Sequence, residues 1–174
     1  MILCLGPLSS GKTLLLKNLQ SNENIDNTTT AVPTMGTNIF KIRIQDSIYE
    51  IRELGGAMAP IWSMYLNNVC KVIYVVDASN LCQISAASVL LYTILVNPAL
   101  KNAEFLLVLT KMDVSYRQMR NEALLMLQMK RLQKEVKQNI TITEASAISG
   151  EGRKEILNWI KNDKSLVNKK QDKN

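Results

Sequence analysis

Gly6-Pro7-Leu8-Ser9-Ser10-Gly11-Lys12-Thr13 fits the pattern G-x-x-x-x-G-K-[ST] at every fixed position. That spacing suits one task. A loop that curls round a phosphate turns its backbone N–H groups inward, which demands small residues. A helix N-terminus behind the loop adds partial positive charge. Lys12 can then reach the β- and γ-phosphates of a nucleoside triphosphate, and the Thr13 hydroxyl can ligate Mg²⁺. The motif speaks to the phosphates and leaves the base unnamed.

Thr110-Lys111-Met112-Asp113 bears on the base. A carboxylate placed there can accept paired hydrogen bonds from the N1–H and amino group of guanine. Adenine lacks that donor pair, so Asp113 would discriminate.

Both groups need strands to carry them. Short runs rich in branched residues recur at Met1–Leu5, Lys71–Asp77, Phe105–Thr110 and, more weakly, Ile140–Thr143. Each ends in polar residues, as parallel strands covered on both faces do. The two motifs follow the first and third of them. Helical stretches lie between. Leu14–Leu19 follows the glycine loop, and Leu81–Val96 is an apolar helix stopped near Asn97-Pro98. Leu125, Met129, Leu132 and Val136 form one core-facing stripe, and Ile156, Leu157 and Ile160 form another. Thr37–Gln45 and Ser47–Leu54 alternate around Gln45-Asp46, which predicts a β-hairpin with Ile39, Phe40, Ile42, Ile44, Ile48 and Ile51 on its apolar side. Asn22–Thr30 is polar and reads as a mobile loop. The sum is an α/β fold: a mostly parallel six-stranded sheet with one antiparallel strand and helices on both faces.

Composition bounds the chemistry. The 174 residues fit one domain, with apolar residues at 47% and charged residues at 21%. There is no histidine, which rules out imidazole catalysis. Cys4, Cys70 and Cys82 lack metal-ligand spacing and read as reduced thiols of a cytoplasmic protein. The net charge of +6 is partly terminal: Arg153–Asn174 holds seven Lys/Arg against three Asp/Glu. Residues 164–174 read as a basic flexible tail that could touch an anionic membrane weakly. It lacks the interleaved aromatics of a nucleic-acid binder, so no nucleic-acid partner is expected. No apolar run reaches membrane-spanning length, residue 2 is Ile rather than Gly, and the C-terminus carries no prenylation cysteine.

The order of motifs carries a resemblance. After the glycine loop come Pro33-Thr34-Met35-Gly36, Glu53-Leu54-Gly55-Gly56, Trp62, Tyr65 and Ile73-Tyr74-Val75-Val76-Asp77. Thr110-Lys111-Met112-Asp113 and Ser146-Ala147-Ile148 complete the set. From residue 1 to about 163 the chain resembles the Arf/Arl branch of the Ras-like small GTPases. The resemblance implies a P-loop G domain over 1–163 that binds GTP or GDP with Mg²⁺. It implies nucleotide contacts from Leu8, Ser9, Ser10, Gly11, Lys12 and Thr13. Thr34 would meet both Mg²⁺ and the γ-phosphate, and Gly56 would offer its N–H to that phosphate. Lys111 would lie along the guanine ring beside Thr110 and Asp113, with Ser146, Ala147 and Ile148 over its O6 face. The metal set would be Thr13, Thr34 and, through water, Glu53. The hairpin between the switches would move. Effector proteins, an exchange factor and a GTPase-activating protein would be the partners.

Departures from the family pattern matter equally. Ala57 stands where relatives carry the glutamine that orients the attacking water, and a methyl group makes no hydrogen bond. Leu8 is bulky beside the γ-phosphate position. No catalytic residue is therefore assigned, and intrinsic hydrolysis is expected at about 10⁻⁴ s⁻¹ or below. Glu53 replaces an aspartate, and Thr110 an asparagine. Of the aromatic trio that Arf proteins offer effectors, only Tyr65 matches; Thr37 and Arg52 take the other places. Relatives carry an amphipathic lipidated helix before the first strand, whereas this sequence opens on the strand, so no intrinsic membrane anchor is expected. A nucleotide-holding scaffold without hydrolysis is the alternative. A P-loop kinase or ATPase is a further one, and Asp113 opposes it.

Overall fold

The branched runs become strands of a single sheet. The computed structural model describes residues 1–21 and 32–162. Strands β1 (Ile2–Leu5), β2 (Thr37–Ile44), β3 (Ser47–Leu54), β4 (Lys71–Asp77), β5 (Glu104–Thr110) and β6 (Ile140–Glu144) lie in the order β2-β3-β1-β4-β5-β6. The β2–β3 pair is antiparallel, and the other four pairings are parallel. The expected sheet is thus observed. The loop expected at Asn22–Thr30 and the tail expected at 164–174 lie outside the described residues.

Period-two alternation sends side chains of the central strands to opposite faces. Val72, Tyr74, Val76, Leu107 and Leu109 join one core with residues of α2 (Leu81–Leu95), α3 (Arg117–Met126) and α4 (Met129–Glu135). Ile73, Val75, Leu106 and Val108 join another with α1 (Lys12–Gln20) and α5 (Arg153–Lys161). At nine residues each, α1 and α5 are too short to persist alone. Burial of Leu15, Leu16, Leu19, Ile156 and Ile160 holds them, at about 1.5–3 kcal/mol per side chain. Lys71 adds a polar clamp: its ammonium donates to the carbonyls of Trp159, Ile160 and Asn162 at the end of α5.

Two apolar stripes differ from expectation. The run through Leu125 and Met129 is not one helix. Gln128, at φ +53°, starts α4 in a new phase. Leu125 is consequently 76% exposed, while Leu127 and Met129 are buried. In the hairpin, Phe40, Ile42 and Ile51 are buried, whereas Ile39 and Ile48 face solvent. Among the described residues helices cover only one face of this edge hairpin, so alternation places Ile39 and Ile48 outside while Ile42, Ile44 and Ile51 face the core.

Parallel strands bring their C-terminal ends to one side of the sheet. Leu5, Asp77, Thr110 and Glu144 end β1, β4, β5 and β6 there. Open α/β sheets bind ligands outside that row of strand ends.

Candidate nucleotide site

The loop after β1 turns hard. Gly6 has φ +152°, and a Cβ there would overlap the Val75 carbonyl of β4. Gly11 sits at φ +88° just ahead of α1. The chain folds back over the Lys12 ammonium, which donates to the carbonyls of Gly6 at 3.0 Å and Pro7 at 2.8 Å. Burial pulls the Lys12 pKa below its ordinary value of 10.5, with Cys4 and Glu53 opposing the shift. A buried cation at the mouth of a loop is poised for anionic oxygens, which would restore its preference for the charged form.

Three separate segments meet at this loop. A cavity of about 60 Å³ is lined by Leu8, Ser9, Gly11, Lys12, Thr13, Leu14, Val32, Pro33, Thr34, Glu53 and Gly56. The Thr13 hydroxyl donates to Glu53 Oε1 at 2.5 Å and lies 3.2 Å from Thr34 Oγ1. Glu53 is fully buried, and its Oε2 accepts from Asn38 Nδ2 at 3.4 Å. Gly56 presses on the loop so closely that a Cβ would overlap the backbone of Pro7 and Leu8. Ala57 beside it is exposed. Thr13, Thr34 and Glu53 offer only oxygen, which suits a hard cation such as Mg²⁺. Among the described residues no group of three or more His, Cys, Asp or Glu gathers anywhere. A cation at this corner would thus need further oxygens from phosphate or water, as Mg²⁺ ordinarily does.

The second motif stands beside the first. The buried Thr110 hydroxyl reaches the Ser10 carbonyl at 2.7 Å and that of Val76 at 3.0 Å. Lys111, in the left-handed region at φ +59°, pairs with Asp77 at 2.6 Å. Asp113 Oδ1 accepts the Ser146 hydroxyl at 2.6 Å. The Ala147 carbonyl accepts from Asn18 of α1 at 3.1 Å, and Ile148 is 41% exposed. Arg153 donates to the carbonyls of Asn18 and Leu19, tying α5 to the end of α1. The motifs assign no role to Asn18, Asn38, Asp77, Ser79 or Arg153. Of these, Asp77 alone stands in a motif, as the polar end of the buried run Ile73–Asp77.

Trp62 belongs to the core. It is 2% exposed, and its Nε1 donates to the Gly55 carbonyl at 3.2 Å. It sits in a run of 3-10 turns, Gly56–Tyr65, that contains Pro60. Tyr65 is half-buried and packs against the same core. Met35, Ile39, Ile61 and Met64 are exposed. No helix among the described residues is long and apolar enough to cross a membrane.

Residues 1–164 match the model of the ADP-ribosylation factor family. The chain belongs to that family. Human ADP-ribosylation factor-like protein 16 is 37% identical over 166 residues, covering 92% of this chain and 84% of that protein. ADP-ribosylation factor 3 of Arabidopsis thaliana is 32% identical, covering 92% of this chain and 86% of its own length. In fold, the chain is similar to the Arl6 BBS3 small GTPase from Trypanosoma brucei, solved with the bound nucleotide analogue GppNp. That likeness has a TM-score of 0.77 at 20% identity and covers 91% of this chain and 93% of the other. Membership makes the chain a GTP-binding switch of the Arf/Arl type, with the nucleotide and Mg²⁺ binding typical of such GTPases.

Proposed function

We propose that residues 1–163 form a G domain whose loops hold GTP and Mg²⁺ and present a binding surface to effectors only in that state. One observation carries this reading: Thr34 meets Thr13, whose hydroxyl donates to Glu53, while Gly56 abuts the glycine loop at Leu8. Two mobile elements of the family, both at the place for a γ-phosphate, are what a triphosphate sensor requires. Leu8, Ser9, Ser10, Gly11, Lys12 and Thr13 would hold phosphates, and Thr110, Lys111, Asp113, Ser146, Ala147 and Ile148 the guanine. Thr13 and Thr34 would ligate the metal. Glu53 would act on it through water, and Asn38 would steady the carboxylate. When bound, the metal neutralises charge on the terminal phosphates.

Effectors would meet Tyr65 and exposed apolar side chains such as Met35, Ile39, Ile61 and Met64. Thr37 and Arg52 in place of aromatics favour effectors different from those of common Arf proteins. Membrane or ciliary traffic, a cytoplasmic location, and exchange and GTPase-activating partners follow by family analogy. The tail at 164–174 would add at most weak contact with anionic lipid.

A nucleotide-holding scaffold is a second reading, favoured by Ala57 and Leu8. Calorimetry of GTP, GDP and ATP with and without Mg²⁺ tests both. A switch predicts guanine selectivity and stronger Mg²⁺ dependence for GTP than for GDP. Equal behaviour of GTP and GDP would favour the scaffold, and absence of guanine-nucleotide binding under every metal condition would overturn both.

A further inference from the structure

Asp77 ends β4 as a 5% exposed carboxylate with both oxygens engaged. Its Oδ1 accepts from the backbone N–H of Ser79 at 2.9 Å and from the Ser79 hydroxyl at 2.5 Å. Its Oδ2 lies 2.6 Å from the Lys111 ammonium. In the parallel register Asp77 faces Thr110, the residue before Lys111. The lysine stem therefore leaves the end of β5 and is anchored at the end of β4, spanning two neighbouring strand ends instead of trailing into solvent. Lys111 also holds a positive φ, which a residue with a Cβ keeps only where its surroundings fix it.

Such an anchor has a consequence for binding. A lysine stem has several freely rotating bonds, and laying it against a flat ring freezes them. A stem already held in place removes that cost from the binding step. Isosteric loss of the Asp77 charge would free the stem without touching any group that reads the base edge. Ser79 matters because its two donors fix which way the carboxylate points.

We propose that Asp77, oriented by Ser79, is a positioning residue for the purine: it holds Lys111 as a preset wall against which the base packs. This rests on the nucleotide reading above. A purely structural ion pair would stabilise the sheet end and leave the lysine's contact with nucleotide unaffected.

The full chain is loaded with fluorescent N-methylanthraniloyl-GDP, and release is followed after excess unlabelled GDP for wild type, Asp77→Asn, Lys111→Met and the double variant. Asp77→Asn should speed release about tenfold, the effect of losing one charge-assisted contact. In the Lys111→Met background the same change should alter release by less than about twofold, because the wall it positions is gone. Preference for guanosine over adenosine diphosphate should be unchanged in Asp77→Asn. Should that variant fail to fold, Ser79→Ala replaces it, with an expected acceleration of about threefold that also vanishes in Lys111→Met. Acceleration of equal size in both backgrounds, or none in the wild type, overturns the inference and leaves the nucleotide reading standing. A wild-type chain that retains no labelled nucleotide overturns the nucleotide reading and this inference with it.

Discussion

The Thr110 hydroxyl stands 2.7 Å from the Ser10 carbonyl, one hundred residues earlier in the chain. It is a direct strap between the loop expected to hold phosphate and the loop expected to read the base. Thr110→Val keeps the shape and removes the strap. The variant should lose about 1–3 kcal/mol of unfolding free energy, because the buried Ser10 carbonyl loses its donor. Urea denaturation measures the loss. Guanosine diphosphate release should quicken alongside it, and unchanged stability would show that the strap carries nothing.

Asp113 is held by the Ser146 hydroxyl at 2.6 Å, so its carboxylate is aimed before any base arrives. Asp113→Asn exchanges one acceptor for a donor. Affinity for guanosine diphosphate should fall on the order of 10²-fold, with xanthosine diphosphate gaining correspondingly, since its base presents an acceptor where guanine has an amino group. Competition binding with the two diphosphates reads the exchange. Retained guanine preference would place base recognition elsewhere.

Ala57 is exposed beside Gly56 and offers no hydrogen bond to a water. Single-turnover hydrolysis of GTP should run at about 10⁻⁴ s⁻¹ or slower. Ala57→Gln should raise that rate about tenfold, because water positioning is a main part of this catalysis. A fast wild-type rate would mean that another group of this chain orients the water.

Gly56 has no room for a side chain against Pro7 and Leu8. Gly56→Ala must push the segment after β3 away from the glycine loop. Affinity for GTP relative to GDP should drop on the order of tenfold while affinity for GDP holds. Isothermal titration of both nucleotides gives the ratio. A wild-type ratio would sever the close approach of Gly56 from triphosphate sensing.

Alkaline pH probes the core. Burial pushes the Tyr74 phenol above its ordinary 10.0 and the Cys4 thiol above its ordinary 9.0. Each binds its proton more tightly in the folded chain. The stabilisation this brings is complete below the unfolded value and is lost as pH climbs through the folded one. Lys12, lowered by burial from 10.5, works the other way: its unfavourable contribution fades as pH rises toward that value. Two groups against one predict a net fall in stability above pH about 9–10, of up to roughly 1.4 kcal/mol per pH unit for each group. Tyr74→Phe should flatten the fall above pH 10. At neutral pH it should cost about 1 kcal/mol, because the phenol donates to the Ala87 carbonyl at 2.7 Å. Denaturant melts across the pH range check both signs.

Most of the fold was legible along the chain. Strands at Lys71–Asp77 and Ser47–Leu54 fall where alternation and branched residues put them, and α2 ends at Leu95, just before Asn97-Pro98. Spacing and resemblance single out the glycine loop, the Thr110–Asp113 motif, Thr34 and Gly56, and the fold brings these segments together. The stripes mislead at Leu125, where a left-handed Gln128 resets the helix phase, and at Ile39 and Ile48, where none of the described residues covers the outer face of the edge hairpin. Periodicity says which residues share a face; it does not say which faces have a neighbour.

What the sequence by itself determined is local: turn chemistry at Gly6–Thr13, helix and strand periods, and the order of motifs along the chain. These depend on residues a few positions apart, and backbone sterics and burial decide them without knowledge of the rest. Tertiary structure alone decided that Asp77 meets Lys111 and that Thr110 meets Ser10. Those contacts exist because the strand order β3-β1-β4-β5 and its register put distant strand ends side by side. Register is set by packing summed over both cores, and no short window of sequence contains that sum.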